Sequence, residues 1–531
     1  MSDRERTFYG IWAVVAAVAI GVQLGGYPLL DADEGRNGEV GREMAATNDY
    51  VMPRLDGLPY LDKPIVYFAA EAAAMEVFGA TEFAARLPAW VFTILTALLL
   101  AWFARRVGID PAMTAIVFLS MPLTIAFART VIFDSALSFF ITAAMIAFYL
   151  AVEASGEKGV EPVGEGGRRP GEGPWSALAW LAIGLGVITK GPVAIAVPLI
   201  VAIPYAIWRR QFRALWSWSG LLLFVIAVAP WVWAISRAVP DFLNYVLVIE
   251  TAERLTTGAL KRTGPPWYFI PYVIGGAFPW SMALIRRWRS IDWVDRYLIL
   301  WIAVPFVFFS LSQSKRPQYV VPLMPAIALL AVRHWRPRAA AVATAIFGGL
   351  LAAVVPFVKL RAEFAPAARQ TALIIGIAAL LCGIAALLRP RMAIAALSIP
   401  VLIIPMAANP LMNALALRRS AKSLVVQLPA GKVIGIRAFT GSMAFYLRRP
   451  VTVVTADGDE FTSNYITRHY SRFASDPAGT LKPMSSVPRV LAPGSVVIVR
   501  QNDGPSRALV ERRGARRVAA DAHFVAYTMP R

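Results

Sequence analysis

Cysteine is nearly absent from this 531-residue chain: there is one, Cys382, and it lies in an apolar stretch. A disulfide framework and a cysteine-rich metal site are both excluded. Histidine is almost as scarce. His334, His469 and His523 are scattered and form no ligand cluster, which argues against a zinc enzyme built on histidine. Charge is thin as well, at 16% of residues, where an ordinary soluble domain has about a quarter. Acidic residues are the scarcer sign, 33 against 53 basic. What fills the chain is apolar, with 57% hydrophobic residues and a mean hydropathy of +0.57. That composition excludes a disordered chain, a collagen and a typical cytosolic enzyme, and indicates a polytopic membrane protein. The net charge of +20 then reads as basic cytoplasmic loops attracted to anionic lipid, with no nucleic-acid partner.

Apolar runs of about 20 residues mark membrane spans. They fall near 8–30, 83–104, 111–128, 135–153, 175–188, 191–208, 216–236, 267–285, 294–311, 319–333, 339–358, 371–388 and 392–408, predicting about 13 transmembrane helices. The first run has no small-residue cleavage site before Asp31 and reads as a retained helix. With this count, the basic groups at Arg4 and Arg6, Arg105 and Arg106, Lys158 with Arg168 and Arg169, Arg209 to Arg213, Arg286 to Arg289, Arg333 to Arg338, and Arg389 and Arg391 share one side. The positive-inside rule makes that side cytoplasmic. Segment 64–79 carries Glu71 and Glu76 and reads as an interfacial, juxtamembrane helix. The insert 154–174, rich in Gly, Pro and Glu, reads as a flexible linker. Beyond residue 410 the pattern changes. Stretches 431–439, 450–456, 494–500 and 523–528 are β-branched and alternate, as strands do, and a helix is expected over 415–427. The chain is therefore divided into 1–409, a transmembrane domain, and 410–531, a small α/β domain. From residue 410 there are 18 basic and 7 acidic residues, a net +11. Long terminal domains translocate largely regardless of charge, so this one is placed outside the cytoplasm.

The residues able to do chemistry gather in the non-cytoplasmic loops. The first loop holds Asp31, Asp33, Glu34 and Arg36, then Arg42 and Glu43. Three carboxylates within four residues either cap the following helix or form an acidic site in which repulsion raises a pKa. Lys63, after Asp62 and before Pro64, either opens a helix or offers a point charge to a phosphate. Asp134, five residues after Arg129, either pairs with it or acts as an acid. Lys190 sits at a tight turn in an apolar hairpin, where a charge is costly and usually functional. The loop 237–266 adds Glu250, Arg254 and Arg262, followed by an aromatic boundary at Trp267 and Tyr268. Lys315, Arg316 and Tyr319 supply further phosphate donors between two apolar runs. Carboxylates and cations on one face suit attack by a hydroxyl or phosphate oxygen on a carbon bearing an anionic leaving group. Carboxylates orient or deprotonate the nucleophile, and Lys and Arg stabilise the departing phosphate.

The order of these motifs resembles a known superfamily. An acidic pair after the first span is followed by Arg42-Glu43-Met44, then 53–64 (Pro-Arg-Leu-Asp-Gly-Leu-Pro-Tyr-Leu-Asp-Lys-Pro) and 78–88 (Phe-Gly-Ala-Thr-Glu-Phe-Ala-Ala-Arg-Leu-Pro). Segments 130–134, 188–192, 264–269 and 314–325 continue the series across most of residues 1–335. Together they are similar to the lipid A aminoarabinose transferase and protein O-mannosyltransferase superfamily of GT-C glycosyltransferases. The resemblance implies a GT-C fold with periplasmic juxtamembrane helices, plus a polyprenyl-phosphate sugar donor such as undecaprenyl phosphate. It makes Asp33 the candidate base or acceptor-orienting carboxylate, with Glu34 and Arg36 beside it, and Asp134 the second acid. Lys63, Lys190, Arg254 and Tyr319 would hold the lipid phosphate, with Lys315 and Arg262 adding charge. Two positions depart from the family pattern: Asp62 stands where Glu is usual, and Thr251 follows Glu250 where His is frequent. Both weaken a transferred metal site, so a divalent metal on Asp62 and Glu250 is left open and no cofactor is assigned.

The resulting expectation is a bacterial inner-membrane glycosyltransferase. It would move a sugar, with inversion, to a periplasmic lipid A, glycolipid, glycan or protein acceptor. The rival is a transporter or flippase of lipid-linked saccharide, which would favour internal repeats and midplane polar sites. A second rival, a receptor for anionic polymer, rests on the basic tail alone.

Overall fold

The structure is a computed structural model, and it describes residues 2–156, 173–246, 264–285 and 291–530. The chain forms two compact units. One comprises Met1–Val22 with Ala89–Ala408, and the other Gln23–Pro88 with Asn409–Arg531.

The first unit is helical, as the apolar runs dictate. Among the described residues, seven helices are long and apolar enough to cross a membrane: Glu82–Arg106, Asp134–Gly156, Phe212–Ala238, Trp293–Leu311, Pro337–Phe357, Ala365–Leu388 and Pro390–Ala407. Counting one bent pair, Pro111–Leu119 with Pro122–Ala128, gives eight. That pair breaks by 71°, and the sequence says why. A residue before proline is pushed out of the α region, and Met121, preceding Pro122, is extended at ψ 129. The remaining expected runs meet shorter or broken helices, among them Pro174–Lys190, Val193–Trp208, Pro317–Arg333 and Phe269–Gly276. A helix such as Phe212–Ala238 buries only 11% of its apolar window and leaves Leu222, Ile226 and Trp233 outward. Apolar surface of that extent suits lipid, where every backbone polar group must be satisfied within the helix.

Small residues set the closest approach between helices. A Cβ added at Gly348 would lie 2.4 Å from the Leu380 nitrogen, and one at Gly383 would lie 2.6 Å from that of Ala345. Helices Pro337–Val354 and Ala365–Leu388 thus meet backbone to backbone, the contact that small residues permit in membranes.

The second unit carries a two-residue hairpin, β1 (Arg54–Leu55) and β2 (Leu58–Pro59), and a six-stranded sheet. Its strands are β3 (Val433–Ile436), β4 (Thr452–Thr455), β5 (Leu481–Pro483), β6 (Val496–Arg500), β7 (Arg516–Ala520) and β8 (Phe524–Thr528). They lie in the order β5-β4-β3-β6-β8-β7. The pairs β5/β4, β4/β3 and β3/β6 are parallel, while β8 runs antiparallel to β6 and β7. Strand β3 is buried throughout, and β6 up to Arg500, so they read as unbroken β-branched runs in the manner of parallel strands covered on both faces. The helix expected over 415–427 is two pieces, Asn409–Arg419 and Lys422–Val425, interrupted at Ser420.

Two helices of this unit come from the first loop. Asp33–Thr47 packs against Val66–Phe78 and against Gly441–Leu447. Glycine makes the second contact this close: a Cβ at Gly441 would sit 2.2 Å from the Arg36 nitrogen. Val66–Phe78 is 13 residues, about 20 Å long at 1.5 Å per residue, too short for a hydrocarbon core about 30 Å thick.

Candidate active site

The adjacent carboxylates of the first loop have different environments. Asp33 opens the helix Asp33–Thr47, where the N-terminus favours an acid. Its side chain is 38% exposed, and its carboxylate receives the Arg36 guanidinium at 2.7 Å. Arg36 also donates to the carbonyl and hydroxyl of Thr462 at 3.0 and 2.9 Å, and lies 5.8 Å from the centre of the Tyr60 ring. Glu34, one residue on, is buried. Both its oxygens accept from Arg86, at 2.9 and 2.8 Å, and one accepts from the Leu30 nitrogen at 3.0 Å. Arg86 is itself fully buried. It donates to the carbonyls of Leu24, Tyr27 and Pro28 and lies 3.8 Å over the Tyr27 ring. Glu34 therefore fastens the loop from inside, and Asp33 is the partly exposed acid of the pair.

Asp62 accepts from the Asn464 and Tyr465 nitrogens, both at 3.0 Å, and so caps the short helix Asn464–Arg468. Lys63 donates to the Asp62 carbonyl. Among the described residues, no group of three or more His, Cys, Asp or Glu is arranged to hold a metal ion. Glu250, Arg254 and Arg262 lie outside the described residues.

In the helical unit three segments distant in sequence meet. Asp134 begins one helix and Lys190 ends another, and the two form an ion pair with Asp134 only 2% exposed. The Lys190 ammonium stands 5.6 Å from the centre of the Tyr319 ring, whose phenol belongs to the 3-10 helix Pro317–Leu323. Tyr319 in turn packs near Phe309 and Phe269. The sequence left Arg129 as the alternative partner of Asp134. Arg129 donates to the carbonyls of Ile20 and Val22, both at 2.7 Å. Lys315 is buried, with its ammonium on the Ser312 carbonyl. Its stem lies against the Gly-Pro-Pro turn, where a Cβ on Gly264 would be 3.2 Å from it and 3.1 Å from the Tyr268 ring.

Several buried ionisable groups carried no assignment in the sequence. Glu39 holds Arg42 through both oxygens, at 2.6 and 2.7 Å. Burial holds its carboxyl well above the usual range despite that partner. Glu43 accepts from the Gly57 nitrogen, and Asp56 from that of Val451 at 2.7 Å. Glu71 is wholly buried, and its two oxygens have no partner among the described residues. Desolvation, helped by the charge of Glu34, raises its carboxyl well above the ordinary value. Arg86 stood inside the 78–88 motif without a role. A guanidinium within an otherwise apolar helix was the signal, because such a charge must find buried partners.

A family model described as dolichyl-phosphate-mannose-protein mannosyltransferase matches residues 39–246. Two relatives are named undecaprenyl phosphate-alpha-4-amino-4-deoxy-L-arabinose arabinosyl transferase. The one from Serratia proteamaculans is 32% identical over 355 residues, covering 64% of this chain and 61% of its own. The one from Erwinia tasmaniensis is 32% identical over 317 residues, covering 58% and 55%. The chain thus spans less than two thirds of the length of the curated relatives it matches. The crystal structure of ArnT from Cupriavidus metallidurans bound to undecaprenyl phosphate superposes with a TM-score of 0.82, at 24% identity over 97% of both chains. That likeness shows the fold: this chain is folded as that ArnT is. Its apolar helices are those of a polytopic helical membrane protein. The apo form of the same ArnT matches equally, with a TM-score of 0.81 at 23% identity, so this chain shares its fold with both states of that protein.

Proposed function

We propose that this chain is a glycosyltransferase that moves a sugar from a polyprenyl-phosphate donor to a lipid A, glycolipid, glycan or protein acceptor, with inversion. The observation that carries this reading is the meeting of Asp134, Lys190 and Tyr319 from three separate segments. It gains support from relatives named for an undecaprenyl-phosphate-linked sugar and from a structural neighbour that binds undecaprenyl phosphate. In the proposed reaction an acceptor oxygen attacks the anomeric carbon, and the bond from that carbon to the phosphate oxygen breaks. The phosphodiester becomes a monoester and gains one negative charge. A cation held ready for it is therefore stronger in the transition state than in the ground state, which is what accelerates the step. Lys190 would take this role with Tyr319 beside it, and Lys63, Arg36 and Lys315, with Arg254 and Arg262, would supply further charge. Asp33, the partly exposed carboxylate, would orient or deprotonate the acceptor, with Asp134 poising Lys190. About 13 spans, a periplasmic C-terminal α/β domain over 410–531 and an inner-membrane location with the site facing the periplasm complete the proposal.

The test is transfer of labelled sugar from undecaprenyl-phosphate sugar to endogenous acceptor in membranes. Removing an electrostatic group aimed at the developing charge costs on the order of 10²–10³ in rate. Lys190→Ala and Asp33→Asn should each lose turnover on that scale while eluting as folded protein in detergent. Full turnover in both variants would refute the assignment, and accumulation of a labelled solute in proteoliposomes without acceptor would favour transport.

A further inference from the structure

A cavity of about 490 Å³ opens within the second unit, at a place its topology singles out. From β3 the chain moves outward to β4 and then β5, and it returns to place β6 on the opposite side of β3. The direction of strand addition reverses between β3 and β6, which are parallel. In open α/β sheets, ligands bind in the crevice beyond the carboxyl ends of the strands at such a switch point. Thr440, following β3, and Arg500 to Asn502, at and beyond the end of β6, line this cavity. Its volume falls in the ordinary range for a small-molecule site, roughly 300–1,000 Å³.

The lining is rich in guanidinium groups. Arg418 and Arg419 end the helix Asn409–Arg419, and Arg500 ends β6. The side chains of Arg419 and Arg500 have no hydrogen-bond or ion-pair partner among the described residues. The two carboxylates in the wall are already engaged locally. Asp31 accepts from the nitrogen and hydroxyl of Ser442, and Asp521 accepts from the His523 and Phe524 nitrogens, both at 2.8 Å. Guanidinium forks match phosphate oxygens in geometry and charge. The neutral donors and acceptors on Thr440, Gln501 and Asn502 suit hydroxyl groups. Of the two aromatic rings in the wall, Phe524 is buried and the His523 imidazole is exposed.

We propose that this crevice binds a phosphate ester of a saccharide, with Arg419 and Arg500 gripping the phosphate and Arg418 adding charge. Identifying that saccharide with the acceptor rests on the transferase reading; the binding itself does not. The experiment uses the full chain in nanodiscs of zwitterionic lipid and equilibrium dialysis of labelled glucosamine 1-phosphate. Saturable binding is expected, competed by inorganic phosphate and not by glucosamine. A charge-assisted bond of about 1.4 kcal/mol corresponds to a tenfold change in affinity. Arg500→Gln and Arg419→Gln should therefore each weaken binding by about tenfold or more, and Arg500→Lys should restore part of it. If phosphatidic acid in the nanodisc displaces the probe in the unaltered chain but not in the arginine variants, the crevice takes a lipid-borne phosphate monoester. If it does not displace, the ligand is a soluble one. Absence of saturable binding, or glutamine variants that are folded by thermal unfolding and bind as the unaltered chain does, would overturn the proposal. Transfer by Lys190→Ala is measured in parallel, so failure of the transferase reading and failure of the crevice are separate results.

Discussion

Removing Arg86 should be among the most damaging single changes to the second unit. Its guanidinium is fully buried and bonds both oxygens of Glu34, which is itself only 4% exposed. It also satisfies the carbonyls of Leu24, Tyr27 and Pro28, which would otherwise have to find other donors. Breaking a buried pair by deleting one partner costs about 3–5 kcal/mol, because an uncompensated charge remains. For a body of 150–250 residues, each kcal/mol shifts the melting temperature by about 2–4 °C. Arg86→Ala should therefore melt lower by about 6–20 °C in differential scanning fluorimetry of detergent-solubilised protein. Replacing both partners leaves no stranded charge, so Arg86→Met with Glu34→Gln should recover a large part of that loss. The sequence of melting points, double variant above Arg86→Ala, is the diagnostic. A melting point for Arg86→Ala within about 2 °C of the unaltered chain, or a double variant no better than the single, would refute a charge-locked loop.

Three further outcomes follow from the same geometry. Glu71 is held protonated when folded and releases its proton on unfolding above its ordinary value of 4.5. Stability should thus fall as pH climbs from about 4.5 toward the raised folded value, and Glu71→Gln should flatten that slope in melting curves between about pH 5 and about pH 8. A slope unchanged in Glu71→Gln would count against the buried neutral acid. The Asp31 carboxyl is pushed up to about 6 by burial, partly opposed by its bonds from Ser442, so Asp31→Asn should remove a stability loss between about pH 4 and about pH 6. Gly348→Val should lower detergent stability by about 1–3 kcal/mol as its Cβ meets the Leu380 backbone, while Gly349→Ala, with its nearest neighbour 3.9 Å away, should melt unchanged.

Much of the helical unit was legible because membrane spans announce themselves by length and composition alone. The bend at Ser120–Met121 was also written in the chain, as Pro122, yet a hydropathy window averages across it. Strands β3, β4, β6 and β8 coincide with the four alternating β-branched stretches. β5, three residues with a proline, and β7, which opens on two arginines, carry no such pattern. They are edge strands of the sheet, where one side is open and burial imposes little on composition. Segment 53–62 shows a different limit. Asp56 and Asp62 look like surface acids, but both carboxylates bind backbone nitrogens of residues 395 to 403 positions away. Only the tertiary fold brings those donors to them.

The first loop shows why residue type alone could not assign roles. Asp33 and Glu34 are chemically alike and adjacent, and a helix turns successive side chains by about 100°. One of them then faces the interior, where an ion is tolerated only with a complete set of partners. Arg86 supplies that set for Glu34. The other remains partly solvated beside Arg36, whose Nη1 is held by Thr462. A catalytic carboxylate needs access to its substrate, and a structural one needs to be sealed from water. By that criterion Glu34→Gln should act mainly on stability, and Asp33→Asn mainly on turnover. Comparing melting temperature with transfer rate for the two variants separates the roles, and the reverse pattern would exchange them.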